Sequence, residues 1–318
     1  MKQKIETGSM RKALAETLVE LAGRDDKIWV VDADLKSSLG LSEFAQKFPN
    51  RFVEAGVAEN NAMGVAAGLA RTGKIVFVGS YACFSPAINW AVIKQSVVYN
   101  QIGGVKIIGS HAGLLTGYQG SSHQMLEDVA LMRAIPEMEV FAPVDAVETK
   151  KIVRAMAYSR KPGYIRVVRP ETPIWTKKRD RWIIGRPTKI QNGRDITVVG
   201  YGPVLAGAMA AQTELTLGRK KTSLEIIGVG TIKPLELEMI VKSVSKTGKL
   251  LVVEDHQKNG GLGEWLAASL MLRKMKFDFR HLGIRDRFGQ SGRDPWELYE
   301  VYSIGKRAIL DTINKWTK

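Results

Sequence analysis

Cysteine is almost missing from this 318-residue chain, which holds a single one, Cys83. A lone thiol forms no internal disulfide, so a disulfide scaffold and a zinc–thiolate cluster are both excluded. No apolar run opens the N-terminal stretch MKQKIETGSMRKALAETL, so no secretory signal is expected and the chain reads as soluble and cytoplasmic. P-loop and Gly-rich dinucleotide fingerprints are absent as well. Acidic residues are in the minority, 32 against 47 Lys and Arg, for a net charge of +15. Such an excess suits nucleic acid, an acidic partner or phosphorylated substrates. The charge is scattered, apart from clusters such as Lys177-Lys178-Arg179-Asp180-Arg181, and no zinc finger, RNA-recognition motif or basic tail accompanies it. Nucleic acid is therefore not expected as the main partner.

What is present is ordinary globular composition, 45% apolar and 25% charged. At roughly 150 residues per domain the length allows about two domains. Short β-branched runs alternate with amphipathic stretches, the pattern of an α/β protein with mostly parallel sheets. Strands are expected at Ile28–Asp32, Lys74–Val78, Val105–Gly109, Glu139–Ala142 and Tyr164–Val168. Helices are expected at Arg11–Ala22, Asn60–Arg71, Pro86–Asn100, Val129–Arg133 and Val147–Ser159. Glu171–Ile190, with two prolines and many basic residues, interrupts the rhythm and reads as a connection. Beyond it, strands at Asp195–Gly200, Ser223–Ile227 and Leu250–Glu254 alternate with helices at Val204–Gly218, Leu235–Ser243 and Gly263–Arg273. The expectation is two doubly wound α/β domains, residues 1–180 and 181–318.

From Ile75 to Val105 only Lys94 is charged. The uncharged part, Ile75–Ile93, is long enough to span a bilayer, but Gly79, Ser80, Ser85, Pro86 and Asn89 interrupt it. A segment buried on all sides, partly by another chain, accounts for it better than a membrane span.

Open α/β sheets bind ligands at the carboxyl ends of their strands, and four polar segments fall there. They are Asp32–Ser38, Glu54–Asn61, Gly79–Phe84, and Ser110–Gly113 continuing to Ser121–Gln124. The last holds His111 and His123, two of the four histidines. From pattern alone Glu59 reads as a helix-N-terminal carboxylate favoured by the dipole, Tyr81 and Phe84 as core, and Asp34 as a turn former.

Four of these stretches together resemble the C-terminal half of transketolase. They are VDADLKSS, GVAENNAMGVAAGLA, GSHAGL with GSSHQMLEDVALMRAIPEMEVFAPVD, and VVEDHQKNGGLGEW. The resemblance covers nearly the whole chain and implies thiamine diphosphate chemistry, in which a two-carbon ketol unit moves from a ketose phosphate to an aldose. Glu59 matches the glutamate that hydrogen-bonds the cofactor's aminopyrimidine. Tyr81 and Phe84 match the aromatic residues flanking that ring, with Tyr81 where phenylalanine is usual. Val57 matches a residue bracing the bent cofactor, and Asp34 an aspartate near it. His111 and His123 match histidines that face the sugar and take part in catalysis. Ser38, His111 and Arg169 match the positions gripping the substrate phosphate. The family loop reads Glu-Asp-Gly before Thr-His-Gln, whereas here it is Tyr118-Gln119-Gly120-Ser121-Ser122-His123-Gln124. Gln119 thus stands where an aspartate contacts a substrate hydroxyl, which puts the usual donor sugars in doubt.

The family's Gly-Asp-Gly motif, which holds Mg²⁺ and the diphosphate, occurs nowhere in the chain. The resemblance therefore implies a separate N-terminal subunit carrying that domain and the metal, in an α2β2 assembly around a homodimer of this chain. The related chemistries are a deoxyxylulose-phosphate-synthase-like activity and that of the β chain of a 2-oxo acid dehydrogenase. A non-catalytic regulatory relative is the alternative from another class. Glu254, Asp255 and His256 receive no chemistry and read as a turn at a strand end used in subunit contact.

Overall fold

The computed structural model describes residues 5–218 and 221–317. Its strands, in chain order, are β1 (Thr7–Ser9), β2 (Ile28–Asp32), β3 (Phe52–Glu54), β4 (Ile75–Tyr81), β5 (Val105–Ser110), β6 (Glu139–Phe141), β7 (Gly163–Arg166), β8 (Glu171–Pro173), β9 (Thr188–Gln191), β10 (Ile196–Gly200), β11 (Leu224–Gly228), β12 (Thr231–Lys233), β13 (Lys249–Gln257) and β14 (Asp278–Ile284). Seven form one sheet in the order β12-β6-β7-β5-β4-β2-β3, and five form another in the order β14-β13-β10-β11-β9. The first is parallel except for β12, and the second except for β9. The mixed α/β class with mostly parallel sheets is as expected.

Burial explains the near-continuous apolar runs. Val76, Phe77 and Val78 on β4 and Ile107 and Ile108 on β5 have lost almost all contact with water, as strands covered on both faces must. Each such side chain contributes roughly 1.5–3 kcal/mol. The Ala-rich helix Glu59–Arg71 lays Ala62, Met63, Ala66, Ala67 and Ala70 against the sheet, a stripe of helical period whose small side chains allow close approach.

Three local expectations need correction. Pro86–Asn100 is not one helix, because the chain first turns through Phe84–Asn89 and then forms a short helix, Trp90–Val92, followed by a π-helical stretch, Ile93–Val98. The proline ring and the loop it belongs to delay the helix start. In the same charge-poor region Ile88 and Tyr99 are exposed, so this chain by itself does not cover all of it. Glu171–Ile190 is also more than a connector. β8 pairs antiparallel with β1, and β9 belongs to the second sheet. Finally, β12, from beyond residue 181, pairs antiparallel with β6 in the first sheet.

The connecting segment is fastened by two buried carboxylates. Asp145 caps the helix Ala146–Ala157 by accepting from Glu148 N at 2.9 Å, and it accepts from Trp175 N at 2.8 Å and Thr176 N at 2.6 Å. Glu148 accepts from Val144 N at 2.7 Å, and from Trp182 Nε1 and Thr188 Oγ1, both at 3.1 Å. Burial drives the Glu148 carboxyl up to about 7 against these bonds. Glu148→Ala leaves those donors unpaired and is expected to cost about 1–3 kcal/mol in urea unfolding.

No helix among the described residues is long and apolar enough to cross a membrane.

Candidate active site

Parallel pairing brings the ends of β2, β4, β5 and β7 level. Asp32 stands opposite Gly79, Tyr81 opposite Ser110, and Gly109 opposite Arg166. The polar segments following these strands therefore gather along one edge of the sheet. Glu59 is the first residue of its helix and is half-buried, where the helix dipole favours a carboxylate. Ser80 Oγ donates to its Oε1 at 3.2 Å, and Asn89 Nδ2 donates to its carbonyl at 3.3 Å. Asn89 is fully buried, with its own Oδ1 unpaired. Burial, together with the nearby Glu59 charge, pushes the Cys83 thiol up to about 11. Cys83 is therefore a protonated, unreactive thiol at neutral pH.

Four rings meet just past Ser80, the partner of Glu59. The Tyr81 and Phe84 centroids lie 6.0 Å apart at an interplanar angle of 20°, and Tyr81 lies 4.1 Å from the His111 ring. His123 approaches Tyr81 at 6.0 Å and Phe84 at 5.5 Å, edge-on to both. His111 is buried, shares a hydrogen bond with Ser110 Oγ at 2.9 Å and has φ of 55°. Burial, then the positive charges of Arg11 and Arg169 and the neighbouring His123, lowers its pKa to about 3. His111 is thus neutral at physiological pH and can offer one donor and one acceptor.

Arg11, which in sequence is one polar residue in the first turn of a helix, joins this site. Its guanidinium donates to the carbonyls of Ser38 and of Arg169, the latter at 2.9 Å. The Arg169 guanidinium stacks on Tyr118, 4.3 Å from the ring centroid, and donates to its hydroxyl at 2.9 Å. Burial and the Arg169 charge lower the Arg11 pKa. Among the described residues neither arginine has a carboxylate partner, and two uncompensated guanidiniums beside a neutral imidazole suit an anion. Tyr118 and Arg11 escaped the sequence reading, and no short-range pattern marks either.

The remaining expected residues are less connected. Gln119 lies in the loop between the histidines, with its Oε1 buried and unpaired. Asp34 is exposed at φ of 61°, and its backbone N–H is held by Glu54 Oε1 at 2.9 Å. Val57 is 81% exposed. Among the described residues no hydrogen bond or ion pair links either side chain to the ring cluster. Asp32, absent from the expected site residues, is fully buried, and burial pushes its carboxyl up to about 6.

Glu254, Asp255 and His256 do not form a surface turn. They lie inside β13 and are buried. The expected strand end at Glu254 was three residues short because polar residues continue it. Glu254 accepts from Leu262 N at 2.9 Å, Gly263 N at 3.0 Å and Tyr201 OH at 3.0 Å, and contacts His281 Nε2 at 2.6 Å.

The pattern of the transketolase pyrimidine binding domain matches residues 6–174, and that of the transketolase C-terminal domain matches residues 185–309. The chain belongs to the transketolase family. It is similar to a Methanocaldococcus jannaschii chain named for a transketolase C-terminal section, with 39% identity over 96% of this chain and 95% of that one. It is also similar to a Phocaeicola vulgatus chain named as one subunit of an apulose-4-phosphate transketolase, 33% identical over 97% of each chain. Among solved structures it matches a split-gene transketolase described as an inactive beta4 tetramer. That match has a TM-score of 0.85 and 35% identity, and covers 96% of this chain and 97% of the other. Its relatives thus include chains named as a transketolase C-terminal section, as a transketolase subunit and as a split-gene transketolase, in a family whose chemistry depends on thiamine diphosphate.

Proposed function

We propose that this chain is the aminopyrimidine-binding and sugar-binding half of a thiamine diphosphate-dependent transketolase. Its partner is a subunit that holds Mg²⁺ and the diphosphate. The observation that carries the reading is the ring cluster Tyr81, Phe84, His111 and His123, with the Arg11–Arg169 pair next to it, at the end of the strand whose Ser80 donates to the half-buried carboxyl of Glu59. The residues present fit the cofactor's ring. Aromatic faces suit a flat heterocycle, and a carboxyl steadied by Ser80 suits a ring nitrogen. The sequence lacks Gly-Asp-Gly, which supports a second chain as the source of the metal site.

Thiamine diphosphate, when bound, supplies the carbon nucleophile. Glu59 would hold the proton at the ring nitrogen in a water-poor setting. Tyr81 and Phe84 would orient the ring, with Val57 and Asp34 at its margin. His111, held neutral by burial, and His123 would hydrogen-bond the ketose oxygens, and Gln119 Oε1 would accept from a substrate hydroxyl. Arg11, Arg169 and Ser38 would take the anionic end of the sugar. The Phocaeicola relative is named for a sugar 4-phosphate, which supports that substrate class. A soluble cytoplasmic α2β2 assembly is the setting proposed.

The test is co-purification from native extract with thiamine diphosphate and Mg²⁺, followed by a donor panel. A stoichiometric partner bearing Gly-Asp-Gly and ketol transfer from a ketose phosphate are expected. Turnover of pyruvate or branched keto acids alone would replace this reading with the synthase or dehydrogenase one. In the active assembly Arg169→Ala is expected to raise KM for the phosphorylated donor about tenfold or more with kcat little changed. Loss of a charge-assisted hydrogen bond has that size.

A further inference from the structure

The loop that carries both histidines is anchored from the opposite lobe. Asp255 on β13 accepts from Leu114 N at 3.0 Å through Oδ1 and at 3.2 Å through Oδ2. Its Oδ2 also accepts from Tyr299 OH at 3.1 Å, on the helix Pro295–Val301. Its carbonyl accepts from Arg166 Nη2 at 3.2 Å. Gly113 has φ of 77°, and a Cβ there would collide with the Asp255 carboxylate. A second anchor lies ten residues after Leu114, at Gln124. Its Nε2 donates to Leu114 O at 3.2 Å within the loop, and to Gln290 O at 2.9 Å across the lobes. Gly117 and Gly120 lie against Pro295 and Ser291, where a Cβ would be tight at the first and would clash with Ser291 Oγ at the second.

Between His111 and His123, Leu114 is thus tied to Asp255 of the other lobe, and Gln124, just past His123, to Gln290, while Ala112 N and Tyr118 OH keep bonds to Val167 and Arg169 of the first lobe. The carboxylate at its centre is nearly sealed from water, where each hydrogen bond is hard to replace. Tyr118, which stacks on Arg169, stands in the same segment.

We propose that Asp255 and Tyr299 are positioning residues for sugar recognition, and that the C-terminal lobe sets the geometry of the histidine loop. The inference rests on the transketolase reading for its catalytic consequence, but the tether itself can be tested without it. Glu59, on the cofactor side, is bonded by Ser80 and Asn89, outside this loop, so cofactor affinity is expected to change little.

The experiment compares Tyr299→Phe, Asp255→Ala and, as a control, Thr197→Val. Thr197 is a buried residue of β10 whose hydroxyl bonds Ser243 at 2.7 Å and Thr247 at 2.8 Å, away from the loop. Amide hydrogen exchange over residues 112–125 of the chain is expected to speed up about tenfold in Tyr299→Phe and to stay at the wild-type rate in Thr197→Val. In the assembled enzyme, KM for the ketose donor should rise about tenfold in Tyr299→Phe, with the thiamine diphosphate Kd within about twofold of wild type. Asp255→Ala should exceed Tyr299→Phe in both readouts, and if it fails to fold, Tyr299→Phe decides alone. Equal exchange in Tyr299→Phe and Thr197→Val, or an unchanged donor KM, overturns the proposal. If the wild-type assembly transfers no ketol unit, the transketolase reading fails instead, and the exchange comparison decides the tether.

Discussion

Glu59→Gln in the assembled enzyme is expected to lower kcat by about 100- to 10,000-fold while leaving the fold intact. Acid–base groups held at a reacting nitrogen typically contribute that much. The substitution keeps the volume of the side chain and its bond from Ser80 Oγ, now to an amide oxygen, and removes only the ionisable proton site. Stability should change little, because Glu59 is half-buried at a helix start and not sealed in the core. Steady-state kinetics beside thermal unfolding separates the two effects. Unchanged turnover would end the catalytic assignment and favour a non-catalytic regulatory relative. A parallel drop in melting temperature and activity would make Glu59 a folding residue.

The helix start, the strand ends and the two histidines of this site were legible because they are local. Ile28–Asp32 reads as a buried strand with a polar terminus, and the parallel register does the rest by setting such termini side by side. Arg11 was not legible. Its guanidinium reaches Ser38 and Arg169, 27 and 158 residues away, and one arginine on an amphipathic helix carries no mark of that. The buried run Glu254-Asp255-His256 misled for the opposite reason. Consecutive polar residues suit a turn, and several of the donors that let them lie in an interior strand, Leu114 N, Tyr299 OH and Tyr201 OH, are distant in sequence. Lys233-Pro234 gave no hint that the strand before it would leave its own neighbours for another sheet.

The largest stability effect is expected at Arg166. Its guanidinium faces Asp128 Oδ1 at 3.4 Å, with both side chains almost wholly out of water. It also contacts Tyr201 OH at 3.5 Å, and Tyr164 OH donates to Asp128 Oδ2 at 2.7 Å. Burial pulls the Arg166 pKa down, but Asp128, Tyr201 and Asp255 more than offset it, so the residue stays charged throughout the accessible pH range. Arg166→Met fills similar space and leaves Asp128 without its cation. Removal of one partner from a buried pair costs about 3–5 kcal/mol, a large share of the roughly 5–15 kcal/mol that folded domains have to spare. Chemical denaturation should show it as a lower midpoint with the slope retained. A loss under about 1 kcal/mol would mean that Asp128 is neutralised from elsewhere. The double variant Arg166→Met with Asp128→Asn is expected to recover part of the loss, because the orphaned charge is then gone.

The strand Thr231–Lys233 that closes the edge of the first sheet has a consequence for how the protein is made. When the ribosome has released residues up to 180, β6 still presents a bare row of amide and carbonyl groups, since its antiparallel neighbour follows about fifty residues later. Unpaired edges recruit other chains. During synthesis, and in any fragment cut near residue 180, the first lobe is therefore an unfinished object with an adhesive side. The first sheet is completed only by a strand that the chain supplies after residue 181, so any exchange of the first lobe has to carry that strand with it.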